Sequence, residues 1–467
     1  MSTQNNSNFR NNSPVSEFPG VSPAVSRRGF LRRAALTVAA FGAAPLILPR
    51  DLLGADAPSK KVTVGVIGTG RQTQHINLPG FLTLDNCRVV AVCDVDAWRL
   101  EGAKAQVEAH YALEKTSGTY KGCATFRDYR ELLARPDIDA VFVSTPDHWH
   151  VPMALAAMKA GKDVSCEKPL SLSIHEGRVL ADTAKRLQRV TRTDSEFRSL
   201  KLFHHAAECV RNGRIGNLRR IFTGTPKEEM KPLQPHPAPV PPELDYDLWL
   251  GPAPAPAYCE QRVHPRHDIS GRPGWMQNRD YCEGMICNWG AHLNDIAQWA
   301  HNSDHTGPVE VEARGEYPPL DSLRNVLLNF QAHYRYADGV ELTYAMDRPY
   351  IRLEGDEGWI EMPYGSPKLL ASDPKIIAPP AGTNWTSFVR KQDKEDFIDA
   401  VLSRGTTMED FETGHRTLSI CQMAHIFIQL GGKKLKWDPA TETFDNADAN
   451  RLLSRKSWRA PWEPEEL

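Results

Sequence analysis

The sequence lacks a C-x-x-C pair, lacks a dominant charge, and offers in its apolar run Ala34–Leu48 only 15 residues where a membrane span needs about 20. Each shortage removes a class of function. The nine cysteines (Cys87, Cys93, Cys123, Cys166, Cys209, Cys259, Cys282, Cys287 and Cys421) are odd in number and dispersed, which fits neither a disulfide framework nor a zinc ribbon. Most of them read as small buried hydrophobes. With 56 Lys and Arg against 58 Asp and Glu, the formal net charge is −2, and no basic stripe marks a nucleic-acid partner. What the chain does have is length: 467 residues, enough for two or three domains that each bury a core.

The N-terminus reads in three pieces. Residues 1–25 are rich in Ser, Asn and Pro, a composition that resists packing. Ser26-Arg27-Arg28-Gly29-Phe30-Leu31-Arg32 resembles the twin-arginine export motif, with Arg in the final Lys position. The apolar run follows, and small residues at Gly54–Ala57 offer a processing site. Residues 1–57 are therefore expected to be a disordered start and a twin-arginine signal. That implies the twin-arginine export machinery as a partner and a periplasmic or otherwise exported protein.

From Lys61 the pattern changes to strands alternating with helices. Val62, Val64, Val66 and Ile67 form an apolar strand that runs into Gly68-Thr69-Gly70-Arg71-Gln72-Thr73. This is G-x-G-x-x-G with Thr73 in the third glycine's place, where glycine normally permits close helix–strand packing. A second apolar run, Val89–Cys93, ends at Asp94. A carboxylate there holds a ribose 2′-hydroxyl and repels a 2′-phosphate, which favours NAD over NADP; Arg99 softens that preference. Further alternation to Leu187 predicts an α/β domain with a doubly wound parallel sheet over residues 58–190. Two strand ends carry chemistry: Thr145-Pro146-Asp147-His148-Trp149-His150 and Cys166-Glu167-Lys168-Pro169. The Asp and His donors of the first lack the spacing of a metal site, and no metal is expected.

GVIGTG, CDVD, STPDHWH and EKPLSLS, with GRIGNLRR (213–220), DLWLGPAP (247–254), NWGAHLNDIAQW (288–299) and LKWDP (435–439) further on, resemble the glucose–fructose oxidoreductase, inositol dehydrogenase and rhizopine-catabolism (Gfo/Idh/MocA) family. The likeness runs from about residue 60 to 460. It implies that Lys168 is the catalytic acid/base and that Glu167 sits near the nicotinamide ribose. Thr145, Pro146 and His150 would line the nicotinamide half, with Gly68, Thr69, Gly70, Arg71, Gln72, Asp94 and His148 completing the cofactor site. A lysine serves as a base at neutral pH when its surroundings favour the free amine, as a dry cleft and a positive nicotinamide ring both do.

Beyond Thr191 an α+β domain is expected to residue 437, with a tail over 438–467. Ten prolines between 226 and 256 read as an extended arm or loop rather than a packed element. Strand patterns with tight turns, Asp338-Gly339 among them, predict an open, mainly antiparallel sheet; the resemblance adds that one face of it serves a homo-oligomer. In NWGAHLND the family commonly has Asp four residues before the His, where this chain has Asn288. On one helix Asn288, His292 and Asp295 share a face. Asn orients a hydroxyl but cannot take a proton, so His292 would carry any relay, with Asp295 behind it fixing the tautomer. Arg198, Arg279 and Tyr281 are further candidate polyol contacts by position.

An exported protein meets no NAD pool. The reading that reconciles signal and site is an oxidoreductase acting on a CH–OH group of a sugar or polyol, with NAD retained and a redox-neutral cycle. An NAD-dependent glycosidase, a non-catalytic sugar-binding protein on a dehydrogenase frame, and a conventional cytoplasmic dehydrogenase remain as alternatives.

Overall fold

A computed structural model of the chain describes residues 61–379, 385–432, 434–455 and 457–467. The expected signal and leading segment, residues 1–57, lie outside the described residues. Six parallel strands, β1 (Val62–Ile67), β2 (Cys87–Cys93), β3 (Ala124–Phe126), β4 (Ala140–Val143), β5 (Asp163–Glu167) and β6 (Thr191–Asp194), form one sheet in the order β3-β2-β1-β4-β5-β6. That order reverses between β1 and β4, and ligands bind at the carboxyl ends of strands beside such a reversal. β4 and β5 are buried along their whole length, because helices cover both faces of a parallel sheet. The main flanking helices are α1 (Ala97–His110), α2 (His150–Lys159) and α3 (Ile174–Leu187). Asp96 caps α1, accepting from the amides of Trp98 and Arg99, and Ser173 caps α3.

The remaining strands build a second sheet: β7 (Leu218–Pro226), β8 (Glu310–Glu316), β9 (Asn329–Arg335), β10 (Glu341–Asp347), β11 (Tyr350–Gly355), β12 (Trp359–Pro363), β13 (Leu370–Ala371), β14 (Leu435–Asp438) and β15 (Thr443–Phe444). Its pairs are antiparallel except β7 with β10. Exposure alternates along β9, as one solvated face requires. Gly339, at φ +89°, makes the β9–β10 turn that few other residues tolerate. Helices α4 (Lys201–Arg211), α5 (Gly290–His301) and α7 (Phe411–Gln429) pack on the other face.

Two expectations need correction here. The change of texture at Thr191 is not a change of sheet: Thr191 pairs with Val164, so β6 is the edge strand of the first sheet. Helix α6 (Asp393–Ser403) also returns to that sheet, where Phe397, Ile398 and Val401 share a core with Val62, Val64 and Val66. The proline-rich stretch is likewise only partly a loop. Leu244, Trp249, Leu250 and Ala253 form a small core with Tyr258, Val263 and Tyr281, around a helical turn at Tyr246–Leu250. All nine cysteines are buried and unpaired. Among the described residues no helix is long and apolar enough to cross a membrane.

Candidate active site

The cleft opens where β1 ends. Gly68 stands at φ +88°, and a Cβ there would lie 2.4 Å from the carbonyl oxygen of Ser144, so only glycine fits. At Gly70 a Cβ would meet nothing within 4 Å. The room there, at the start of the helical segment 71–82, is what a pyrophosphate needs to reach backbone amides. Thr73, in the third glycine's place, is buried and donates its hydroxyl to the carbonyl oxygen of Gly68 at 2.7 Å. The departure from the glycine pattern thus ties helix to turn by a hydrogen bond.

Asp94 follows β2 and lines the cleft. Its Oδ2 accepts from the amide of Thr69 at 2.6 Å and from the Thr69 hydroxyl at 3.0 Å, and its Oδ1 accepts from the amide of Asp96 at 2.9 Å. Thr69 therefore holds the carboxylate rather than lining the cleft itself. Segment 243–276 is laced to the same loop. Leu244 bridges Asp96, His264 Nε2 lies 2.9 Å from Asp96 Oδ2, and Arg99 donates to the carbonyl of Pro265 at 2.9 Å. Leu248, Trp249, His264 and Trp275 of this segment form one wall of the cleft, which measures about 490 Å³.

At the other end β5 delivers Glu167 and Lys168, which line the cleft with Thr145, Pro146, Asn288 and His292. Glu167 Oε1 accepts from Asn77 at 2.8 Å. His292 Nδ1 contacts the backbone carbonyl of Ser195. A carbonyl only accepts, so Nδ1 carries the hydrogen and Nε2 is left as an acceptor. Burial, and then the charge of Lys168, push the imidazole well below its ordinary pKa, so the ring is neutral. Phe197 stacks on it, with ring centres 4.5 Å apart.

Several predicted residues lie elsewhere. Asp295 and Arg198 pair with each other, Nη2 to Oδ1 at 2.6 Å and Nε to Oδ2 at 2.8 Å. Arg198 also reaches Asp304 at 2.9 Å. Both members are buried, and neither lines the cleft. The tautomer of His292 is set by Ser195, not by Asp295. Instead the pair clamps the turn Phe197–Ser199 onto α5, one helical turn behind His292. Asn288, by contrast, does line the cleft with His292; it ends a short helix, Met285–Asn288, that runs on into α5 through Trp289, whose backbone stays helical at φ −90° and ψ −27°. Arg279 lies over the ring of Tyr317. Tyr281 is sealed against His148 and Trp249, and His148 Nε2 contacts the carbonyl of Trp249 at 3.1 Å. His150 contacts the carbonyls of Pro169 and Thr145 at 2.7 and 3.0 Å, tying together the two loops that flank the cleft. These last four residues are absent from its lining, and the His and Asp donors of DHWH diverge.

Other lining residues carried no sequence signal. Glu196, half-buried at φ +68°, lines the cleft with Phe197, Trp289 and Tyr364. Carboxylate oxygens of Glu167, Asp194 and Glu196 lie within 4.8 Å of one another. Lys394 from α6 places its ammonium on Asp194 and on Asp393. Burial, then the charges of Asp194 and Glu167, push the Glu196 carboxyl up to about 8.

The doubly wound sheet and its glycine cradle define a dinucleotide-binding protein. The chain belongs to the Gfo/Idh/MocA oxidoreductase family: the family's NAD-binding Rossmann fold matches residues 62–195, and its C-terminal alpha/beta domain matches residues 226–464. A glycosyl hydrolase family 109 protein of Saccharopolyspora erythraea is 32% identical over 200 residues, covering 38% of this chain and 42% of that protein. The chain thus spans less than half the length of that relative. Among solved structures, the aldose-aldose oxidoreductase of Caulobacter crescentus complexed with glycerol superposes with a TM-score of 0.58 at 18% identity, over 80% of this chain and 99% of that one. The WlbA dehydrogenase of Bordetella pertussis, in complex with NADH and UDP-GlcNAcA, gives a TM-score of 0.56 at 14% identity, over 81% and 99%. At these identities the likeness carries the fold.

Proposed function

We propose that the protein oxidises and re-reduces a CH–OH carbon of a sugar or polyol, with NAD kept in place through a redox-neutral cycle. The observation that carries this reading is one continuous cleft. It joins the Gly68–Gly70 cradle and Asp94 at one end to Lys168, Asn288 and His292 at the other, and segment 243–276 walls it along the side. The residues present fit the cofactor. Gly70 leaves space for the pyrophosphate, and Asp94 suits a ribose diol and repels a 2′-phosphate, which favours NAD over NADP.

The bound nicotinamide supplies a hydride acceptor and, once reduced, a hydride donor. Lys168 Nζ takes the proton of the reacting hydroxyl as its carbon is oxidised, and returns it on re-reduction. His292 Nε2 accepts a hydrogen bond from a neighbouring hydroxyl, and the Asn288 amide orients the ring without taking charge. The likeness to the aldose-aldose oxidoreductase of Caulobacter crescentus agrees with a cycle in which one sugar is oxidised and another reduced.

The glycosyl hydrolase relative favours a second reading on the same site. Transient oxidation of a glycoside acidifies the hydrogen beside the new carbonyl, and in this reading His292 Nε2 takes it. The aglycone then leaves, water adds and the carbonyl is reduced again. The two readings separate on whether an aglycone is released without net redox change.

We further infer that the folded, loaded protein is exported by the twin-arginine route and works as a homo-oligomer, which cell fractionation and light scattering test. The deciding experiment is to purify the protein from the exported fraction, denature it and assay nicotinamide. Stoichiometric NAD(H) supports the retained-cofactor cycle. A protein that arrives empty and binds added NAD weakly sinks it.

A further inference from the structure

Tyr364 follows β12 at the mouth of the cleft and is 47% exposed, although it is a large aromatic side chain. Its ring is held on two sides. Phe197 lies parallel to it, with 5.5 Å between ring centres and 4° between planes, and Trp289 meets it edge-on at 5.0 Å and 89°. Phe197 in turn stacks on His292. The three rings form one column, His292–Phe197–Tyr364. Tyr364 stands one ring further from the reacting centre than Phe197 and stays half exposed.

We propose that Tyr364 is a stacking platform for a second ring of the substrate, so that the site takes a glycoside rather than a free monosaccharide or an open-chain polyol. This rests on the sugar oxidoreductase reading above and specifies its substrate class. The C–H face of a pyranose is apolar and flat enough to cover an aromatic ring, whereas its rim of hydroxyls needs polar partners. Asn288, Glu196 and His292 line the same end of the cleft as the column and supply them. An open-chain polyol has no such face. The polar groups that handle the reacting hydroxyl lie at the His292 end of the column, so the ring that covers Tyr364 is the next one along the substrate. A fixed ring also loses little freedom on binding, and a pre-organised contact retains more of its interaction energy.

The test measures binding without turnover. NAD-loaded protein is titrated with matched sets of monosaccharide, methyl glycoside, disaccharide and p-nitrophenyl glycoside, plus myo-inositol, and followed by saturation-transfer NMR. At least one two-ring ligand should bind about tenfold more tightly than its one-ring counterpart, the size of one good aromatic contact. Tyr364→Ala should remove that advantage and leave monosaccharide affinity unchanged, while Tyr364→Phe should keep it. The platform is overturned if wild type binds one-ring and two-ring ligands alike or binds none of the panel. It is overturned equally if Tyr364→Ala weakens both ligand sizes or neither. Nicotinamide content of the same preparation is measured separately, so a failed oxidoreductase reading is not mistaken for a failed platform.

Discussion

The two ends of the cleft are built by different means. At the adenosine end the chain works mostly with backbone: a glycine turn at Gly68, open space at Gly70, and a carboxylate fixed by the amides of Thr69 and Asp96. At the substrate end nearly everything is side chain. Lys168, His292, Glu196 and the aromatic column come from separate elements, held from behind by buried ion pairs between Arg198 and Asp295 and between Lys394 and Asp194. A backbone-built site depends on a few local conformations. A side-chain-built site depends on long-range pairs, and a single truncation there leaves a charge stranded. The two ends should therefore fail differently.

The sharpest separation comes from Lys168→Ala. Loss of a general acid/base costs about 10²–10⁴ in rate, while nicotinamide binding should persist. A variant that still turns over at wild-type rate refutes the role given to Lys168, and one that never binds sugar argues for a structural lysine. Next is Arg198→Ala, which leaves Asp295 buried without its partner. Breaking such a pair costs about 3–5 kcal/mol, so calorimetry should find a large fall in Tm. Substrate affinity should suffer with it, because the turn bearing Phe197 is no longer clamped. An unchanged Tm would mean that the pair is not the clamp. Thr73→Val is milder. It strands the carbonyl of Gly68, a loss of about 1–3 kcal/mol, and should weaken NAD binding while sugar binding to loaded protein stays the same. Equal weakening of both would erase the contrast between the two ends.

The same contrast explains what was legible in the sequence. The first sheet, the glycine turn and Asp94 are encoded over short spans, where strand period and turn residues sit side by side. The E-K-P lysine and His292 came from motifs, and the structure brings both to the cleft. Asp295 misled because helical spacing places residues on a face but does not say what lies opposite, and Arg198 was placed by position alone. Here a guanidinium 97 residues away takes the carboxylate. Glu196 and Tyr364 belong to no motif, and only the packing of β6 and β12 against the cleft gives them a role. The proline-dense stretch looked structureless because its core of Trp249, Tyr258 and Tyr281 closes through contacts distant in sequence.

The smallest expected effect concerns Glu196. Burial and the carboxylates of Asp194 and Glu167 raise its pKa to about 8, against the countering charge of Lys394; Asp393 beside that lysine adds to the rise, and Gln72 approaches the carboxyl at 3.5 Å. The folded protein thus keeps a proton that the unfolded chain releases above its ordinary carboxyl pKa of 4.5. Folding takes up that proton across the window from about 4.5 to 8, so stability is greatest below it and falls as pH rises through it. Glu196→Gln removes the titrating group without removing its size. The fall in Tm between pH 5 and pH 8 should become shallower. Some slope should persist, because burial also raises Asp194, to about 7. A slope identical to wild type would place the shared proton elsewhere in the acidic cluster, and the half-buried carboxyl at the mouth of the substrate end would then be charged throughout the working range.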